Sequence, residues 1–298
     1  MQQQNIELSK KRDLGEVVSD TFTFIKQNFK PLFKVVLTFC GLFMLATAAA
    51  YAMQQLKTFE LQRELFNGAG AQSFSSPLDR FGIEYLLSML FMMLSYTLMT
   101  LTVLSYMALY KQKGNVPPTT EEVWGYIKYY FLRVLGGTIL LSILLILATA
   151  ACIIPGVYVY PIFGLVFPIM IMENASFTYA FNRSFTIIKE NWWLTFGTLF
   201  VMGLITYVGY MIFSIPTIII TVVNLFTHGT KTAASSAPLL IVISLIQQAG
   251  QILYVLPLIA LGFCYYNLTE VKEGSGLIDR INQFGTHNPD SNLPAEEY

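Results

Sequence analysis

From Val134 to Met172 the chain carries no charged residue. Few folds can hold such a run. A bilayer's hydrocarbon core is about 30 Å thick, and a helix crosses it with about 20 apolar residues. No water is present there to satisfy backbone N–H and C=O groups, so only helices or closed barrels can span it. The run is continuously apolar rather than alternating, which predicts helices and excludes barrel strands. Ile154-Pro155-Gly156 interrupts it, dividing a third span that starts at Val134 from a short fourth one, Val157 to Met172. The same reasoning places the first two spans at Pro31 to Gln54 and Phe81 to Tyr110. The fifth runs from Trp192 to about Phe213 and the sixth from Pro238 to about Asn267. Pro216 is a kink or an end; the apolar stretch to Phe226 either extends the fifth span or packs as a half-helix. The expected fold class is an all-α integral membrane protein of six transmembrane helices.

Charge usage agrees. Only 12% of residues are charged, against roughly 25% in soluble domains. Net charge is zero, so nothing favours nucleic acid as a partner. Cys40, Cys152 and Cys264 each lie in an apolar run; an odd number so placed argues against a disulfide framework and for small apolar side chains. No GxxxxGK[ST], HExxH, CxxC or GxSxG pattern occurs, and no cluster of intramembrane carboxylates suggests an ion-coupled pump. The only histidines, His228 and His287, fall in a short outer loop and a polar tail. Neither an enzyme, a metal site nor a cofactor is expected.

Six spans put both termini on one side. Lys57, Arg63, Arg80 and Lys231 fall opposite the termini, leaving fourteen of the 18 basic residues on the terminal side. By the positive-inside rule that side is cytoplasmic. The first long apolar run starts near Pro31, too late for a cleavable signal, so a retained cytoplasmic N-terminus is expected.

Three segments share one pattern, an aromatic, two residues, Ile-Lys, two residues, an aromatic: Phe22 to Phe29, Trp124 to Phe131 and Phe185 to Trp192. Each precedes a pair of spans. Leu14, Val18, Phe22, Ile25 and Phe29 keep one helix face apolar, as do Phe177, Phe181, Phe185, Ile188 and Trp192. Thr119 with Glu122 makes a capping box before the middle segment. The expected plan is three hairpins, each preceded by a cytoplasmic interfacial amphipathic helix. The repeat units are about 13–110, 119–172 and 176–267, within one membrane domain, 1–284. The tail, 285–298, is polar and expected to be disordered. The loop from Gln55 to Arg80 is the longest polar stretch outside the membrane.

The stretch Ile153-Ile-Pro-Gly-Val-Tyr158, then Glu173, Ala180, Arg183-Ser184 and Trp192-Trp193, resembles the polytopic bacterial family named for the membrane domain of glycerophosphoryl diester phosphodiesterase. The opening Arg12-Asp-Leu-Gly-Glu-Val-Val-Ser-Asp-Thr-Phe22 and the tail Glu273-Gly-Ser-Gly-Leu-Ile-Asp-Arg-Ile281 look like versions common in Bacteroidota. The resemblance implies a bacterial inner-membrane location and a six-helix fold without the hydrolase, which is a separate soluble domain in the enzymes.

Glu173 and Arg183 are the most suggestive charges, as a structural salt bridge or a headgroup contact. Ser244, Gln247, Gln248, Gln251 and Tyr254 recur every three or four residues on the sixth span. They should face the bundle interior, a cavity or a partner helix, with Gly250 allowing close approach. Gln247, Gln251 and Tyr254 are the candidate partner or ligand face. Trp124, Trp192 and Trp193 are expected interfacial anchors. Lys34 can snorkel to the interface, whereas Glu84 lacks an obvious partner. Asn174-Ala-Ser176 and Asn267-Leu-Thr269 match the glycosylation pattern on the wrong side of the membrane. The expected function is a non-catalytic scaffold or accessory subunit binding membrane lipids and other membrane proteins. The alternative is a transporter of a small solute or lipid.

Overall fold

A computed structural model describes residues 6–66, 82–226 and 237–274. Most of the Gln55 to Arg80 loop, Lys231, both histidines and the 285–298 tail lie outside the described residues. Within them the elements are α1 (Leu14–Phe66), α2 (Ile83–Gln112), α3 (Thr120–Ala151), α4 (Ile153–Met172), α5 (Phe177–Ile188), α6 (Trp192–Phe226), α7 (Ala237–Ala249), a 3-10 turn (Gly250–Tyr254) and α8 (Val255–Glu273). Six stretches are long and apolar enough to cross a membrane: α1, α2, α3, α4, α6, and α7 to α8 taken together. The protein is an all-α, multi-pass membrane protein.

The three aromatic-lysine segments meet their spans in three different ways. In α1 the helix kinks at Asn28 (φ −107°, ψ 15°). Pro31 follows closely; it lacks an N–H, and its ring crowds the carbonyl one turn back. The Asn28 amide bonds the Phe24 carbonyl at 3.1 Å and accepts the Tyr106 hydroxyl at 3.0 Å. The third segment is a separate helix, α5, capped by Ser176 and parted from α6 by Lys189 to Asn191. The middle segment departs from expectation. The Thr119–Glu122 capping box forms, but Trp124 to Phe131 runs without a break into α3. No proline there removes a backbone donor, so the helix propagates.

Prolines bear on three further expectations. Pro155 does not interrupt the apolar run itself; the break falls at Cys152, which is extended (φ −167°, ψ 146°), and Pro155 sits in the first turn of α4. That turn has no intrahelical acceptor for its N–H groups, so proline is harmless. Pro216 does not end α6, which continues to Phe226. On the last span, Pro257 cannot donate to the carbonyl four residues back, and the preceding turn tightens into the 3-10 segment. The single sixth helix expected from Pro238 to Asn267 is therefore two helices around a turn.

The α3–α4 hairpin ends early along α6. At the start of α6, the Trp192 indole N–H bonds the Tyr158 carbonyl, in the first turns of α4, at 3.0 Å. Phe196, Phe200 and Leu204 share a groove with Ile153, Gly156 and Val157. The hairpin tip at Cys152 thus lies beside the first half of α6. Beyond Tyr207, α6 runs on to Phe226, roughly 28 Å further at ~1.5 Å per residue.

Packing concentrates at one end. The C-terminal halves of α2 (Thr97 to Tyr110) and α4, and α8 from Leu258 to Thr269, are buried almost continuously. Phe24 is the keystone between α2 and α8, edge-on to Tyr110, Phe263 and Tyr106 at centroid distances of 5.2, 5.9 and 6.2 Å. Both described chain ends and most described Lys and Arg residues gather there; it is termed the basic end. At the far end a small cluster of Leu56, Ile220, Leu240 and Ile243 joins α1, α6 and α7.

Candidate functional site

At the basic end the N-terminal strap is locked to α8 through Arg12, whose side chain is 1% exposed. Its Nε donates to Asp20 at 2.7 Å, Nη1 to the carbonyls of Leu8 at 2.6 Å and Lys10 at 3.1 Å, and Nη2 to the Glu7 carbonyl. The guanidinium lies 4.7 Å from the centroid of the Phe263 ring. Asn267 holds the Arg12 backbone from both sides, accepting from its N–H at 2.8 Å and donating to its carbonyl at 3.1 Å. A charge this buried is tolerable because every face of it is hydrogen-bonded or stacked.

Glu173 and Arg183 do meet, Nε to Oε1 at 2.8 Å. The pair is part of a larger group: Glu273 takes a second guanidinium nitrogen at 2.5 Å, and the Tyr265 hydroxyl donates to Glu173 at 3.0 Å. Burial works against the guanidinium charge, but the hydrogen bonds to Glu273 and Glu173 outweigh it and raise the Arg183 pKa above its ordinary value. Lys272 donates to the Thr186 carbonyl beside them. A small cavity of ≈ 300 Å³ opens here. Of its two cations, Arg183 is paired with Glu173 and Glu273, while Lys272 meets a backbone carbonyl.

The glutamine stripe bonds within the bundle. Gln247 accepts from Thr217 of α6 at 2.7 Å, and Gln251 accepts from Ser95 of α2 at 3.2 Å and donates to Gln248. Gly250 lets the chain approach Tyr210 and Phe213 closely; a Cβ would lie 3.0 Å from the Tyr210 ring. The 3-10 turn carries Tyr254 away from the stripe and towards a cavity. Of the expected anchors, Trp124 stacks on Phe39 with Lys128 over its face, Trp192 is half-buried against Tyr158 and Phe196, and Trp193 is exposed. Glu84 has a partner after all, Lys57 at 2.9 Å, near the far end of the bundle. Asn174 accepts the Tyr130 hydroxyl at 2.9 Å, and Ser176 caps α5.

The cavity reached by Tyr254 is the feature the sequence did not announce. It holds ≈ 400 Å³ between α2, α3, α4, α6 and α8, and Tyr96, Tyr160, Tyr207, Tyr210 and Tyr254 line it with Thr138, Ser142 and Thr206. A second cavity of ≈ 520 Å³ adjoins it, sharing Leu145, Tyr160, Leu199, Gly203 and Tyr207. The outer one is walled by Ile153, Val157, Phe200 and Leu204, all exposed on the flank of the bundle. Together they form an inner chamber with hydroxyls and an apolar vestibule on the lipid-facing side. Volumes of about 300–1,000 Å³ are usual for small-molecule sites. The short reach of the hairpin creates the space, since its tip stops beside the first half of α6 instead of filling the flank. Gly203 preserves it: a Cβ there would meet nothing within 4 Å.

Neither a protein-family model nor a curated protein nor a solved structure matches this chain.

Proposed function

We infer that this is a non-catalytic membrane protein that takes up a lipid sideways from the bilayer and holds it, as an accessory subunit or scaffold for other membrane proteins. The observation that carries this reading is the paired cavity, apolar where it meets lipid and hydroxylated within. The chamber supports binding rather than bond-making: among the described residues, no carboxylate, imidazole or amine lines it to activate a hydroxyl. Holding is favoured over solute transport by the ring cluster of Phe24, Tyr106, Tyr110 and Phe263, which packs the basic half solid. The distribution of lysine and arginine supports an orientation with the basic end in the cytoplasm, and the family resemblance implies a bacterial inner membrane.

Purification in mild detergent, followed by mass spectrometry of lipids and proteins, tests the reading. A lipid retained in near-stoichiometric amount, with a reproducible protein partner, is expected. The chain alone with only bulk lipid would contradict it. For orientation, a reporter active only in the periplasm should work when fused after Ser73 and stay silent after Lys113. The reverse pattern overturns the assignment.

A further inference from the structure

We propose that the tyrosine-lined chamber selects an uncharged lipid bearing a free hydroxyl or carbonyl oxygen, and excludes phospholipid headgroups. The proposal rests on the reading of the paired cavity as a lipid site. Three observations give it chemistry.

The first is an unmatched hydroxyl. Thr206 is 4% exposed, lines the chamber, and has no hydrogen-bond partner for Oγ1. A helical threonine ordinarily returns its hydroxyl to the carbonyl one turn back. Thr138, Thr195 and Thr221 all do so here, at 2.8, 3.1 and 2.9 Å. A buried hydroxyl left unpaired is costly, and a ligand oxygen in the chamber removes that cost.

The second is charge. Among the described residues, every polar group on the chamber wall is a neutral hydroxyl. A phosphate brought there would lose its hydration without gaining a cation. The cations of the basic end do not reach it: no lysine or arginine lines the chamber among the described residues, and Arg12 is paired with Asp20 and Arg183 with Glu173 and Glu273.

The third is depth. Tyr207 and Tyr210 sit midway along α6, and Tyr254 packs across from Tyr210 with ring centroids 6.5 Å apart. The hydroxyls therefore lie near mid-bundle. A phospholipid keeps its headgroup at the surface, whereas a neutral lipid can carry its oxygen to that depth. The vestibule between α3, α4 and α6 then receives the chain.

The test compares three probes on the purified protein by native mass spectrometry: 1,2-dioctanoylglycerol, dioctanoylphosphatidic acid with the same chains, and dodecane. Dioctanoylglycerol should bind roughly tenfold tighter than either of the others. Thr206→Val, close in shape but without the hydroxyl, should weaken it about fivefold, and Tyr210→Phe provides a second mild variant. Equal or tighter binding of the phosphatidic acid overturns the proposal and leaves the lipid-holding reading intact. So does failure of dioctanoylglycerol to bind while some other lipid copurifies. Dodecane matching dioctanoylglycerol, with no effect of either substitution, removes the role of the hydroxyls. If none of the probes binds and no lipid copurifies, both readings fall.

Discussion

The two halves of the bundle solve opposite problems. At the basic end, α1, α2 and α8 meet around Phe24, and the strap carrying Arg12 is tied across a sequence separation of 255 residues by Asn267. In the middle and far half, the α3–α4 hairpin has already ended beside the first half of α6, and tyrosines border a void that the fold leaves unfilled. Helices in lipid gain little from the hydrophobic effect against one another, so van der Waals packing and interhelical hydrogen bonds hold them together. The basic half uses both kinds of contact fully. The chamber half forgoes close packing, and that volume is what a ligand can occupy. A fixed base lets the other half stay hollow without losing its shape.

The sharpest way to break this contrast is to truncate the same kind of residue in each half. Arg12→Ala removes a buried cation that makes four hydrogen bonds and strands its acceptors; a loss at the upper end of ~3–5 kcal/mol is expected. Phe24→Ala should cost a comparable ~3–5 kcal/mol. Tyr207→Ala, at the chamber wall, should cost under ~1 kcal/mol, because its ring is half exposed and borders empty space. Thermal unfolding in one detergent gives all three. Similar losses for Phe24→Ala and Tyr207→Ala would erase the distinction between the halves.

A smaller effect is expected for Glu173 and Arg183. Each is about a fifth exposed, and Arg183 keeps Glu273 when Glu173 is lost. A double-mutant cycle of Glu173→Gln and Arg183→Gln should give a coupling of about 1 kcal/mol. Strict additivity would mean that the observed contact carries no energy. The smallest effect belongs to Lys57 and Glu84, a partly exposed pair near the far end. Glu84→Gln should change stability by less than ~1 kcal/mol, and a larger loss would reveal a tightly held far end.

How much of this could be read in the sequence depends on distance along the chain. The apolar runs, the Thr119–Glu122 capping box and the Glu173–Arg183 contact are local or nearly so, and all were legible. Arg12 and Asn267 were not, because nothing near either residue announces a clamp; Asn267 instead suggested a misplaced glycosylation pattern. Glu84 looked solitary because Lys57 reaches it from another helix. The glutamine stripe was visible as periodicity, but its fate was decided by Pro257. The turn before that proline tightened, so Gln247 and Gln251 went to α6 and α2 while Tyr254 went to the chamber. The chamber itself draws its tyrosines from α2, α4, α6 and the 3-10 turn. It depends on where the hairpin tip ends along α6, which no pattern of residues encodes.

If the chamber half is hollow because it holds a lipid, filling the hollow must expel that lipid. Gly203 lies on both cavities and Gly136 lies on the exposed side of α3, and a Cβ at either meets nothing within 4 Å. Leucine at each position makes a matched pair, and native mass spectrometry reads the bound lipid on each purified variant. Gly203→Leu should fill the passage between vestibule and chamber and lose the lipid while staying as folded as the unsubstituted protein; Gly136→Leu should keep it. Equal lipid occupancy in the two variants would contradict the account.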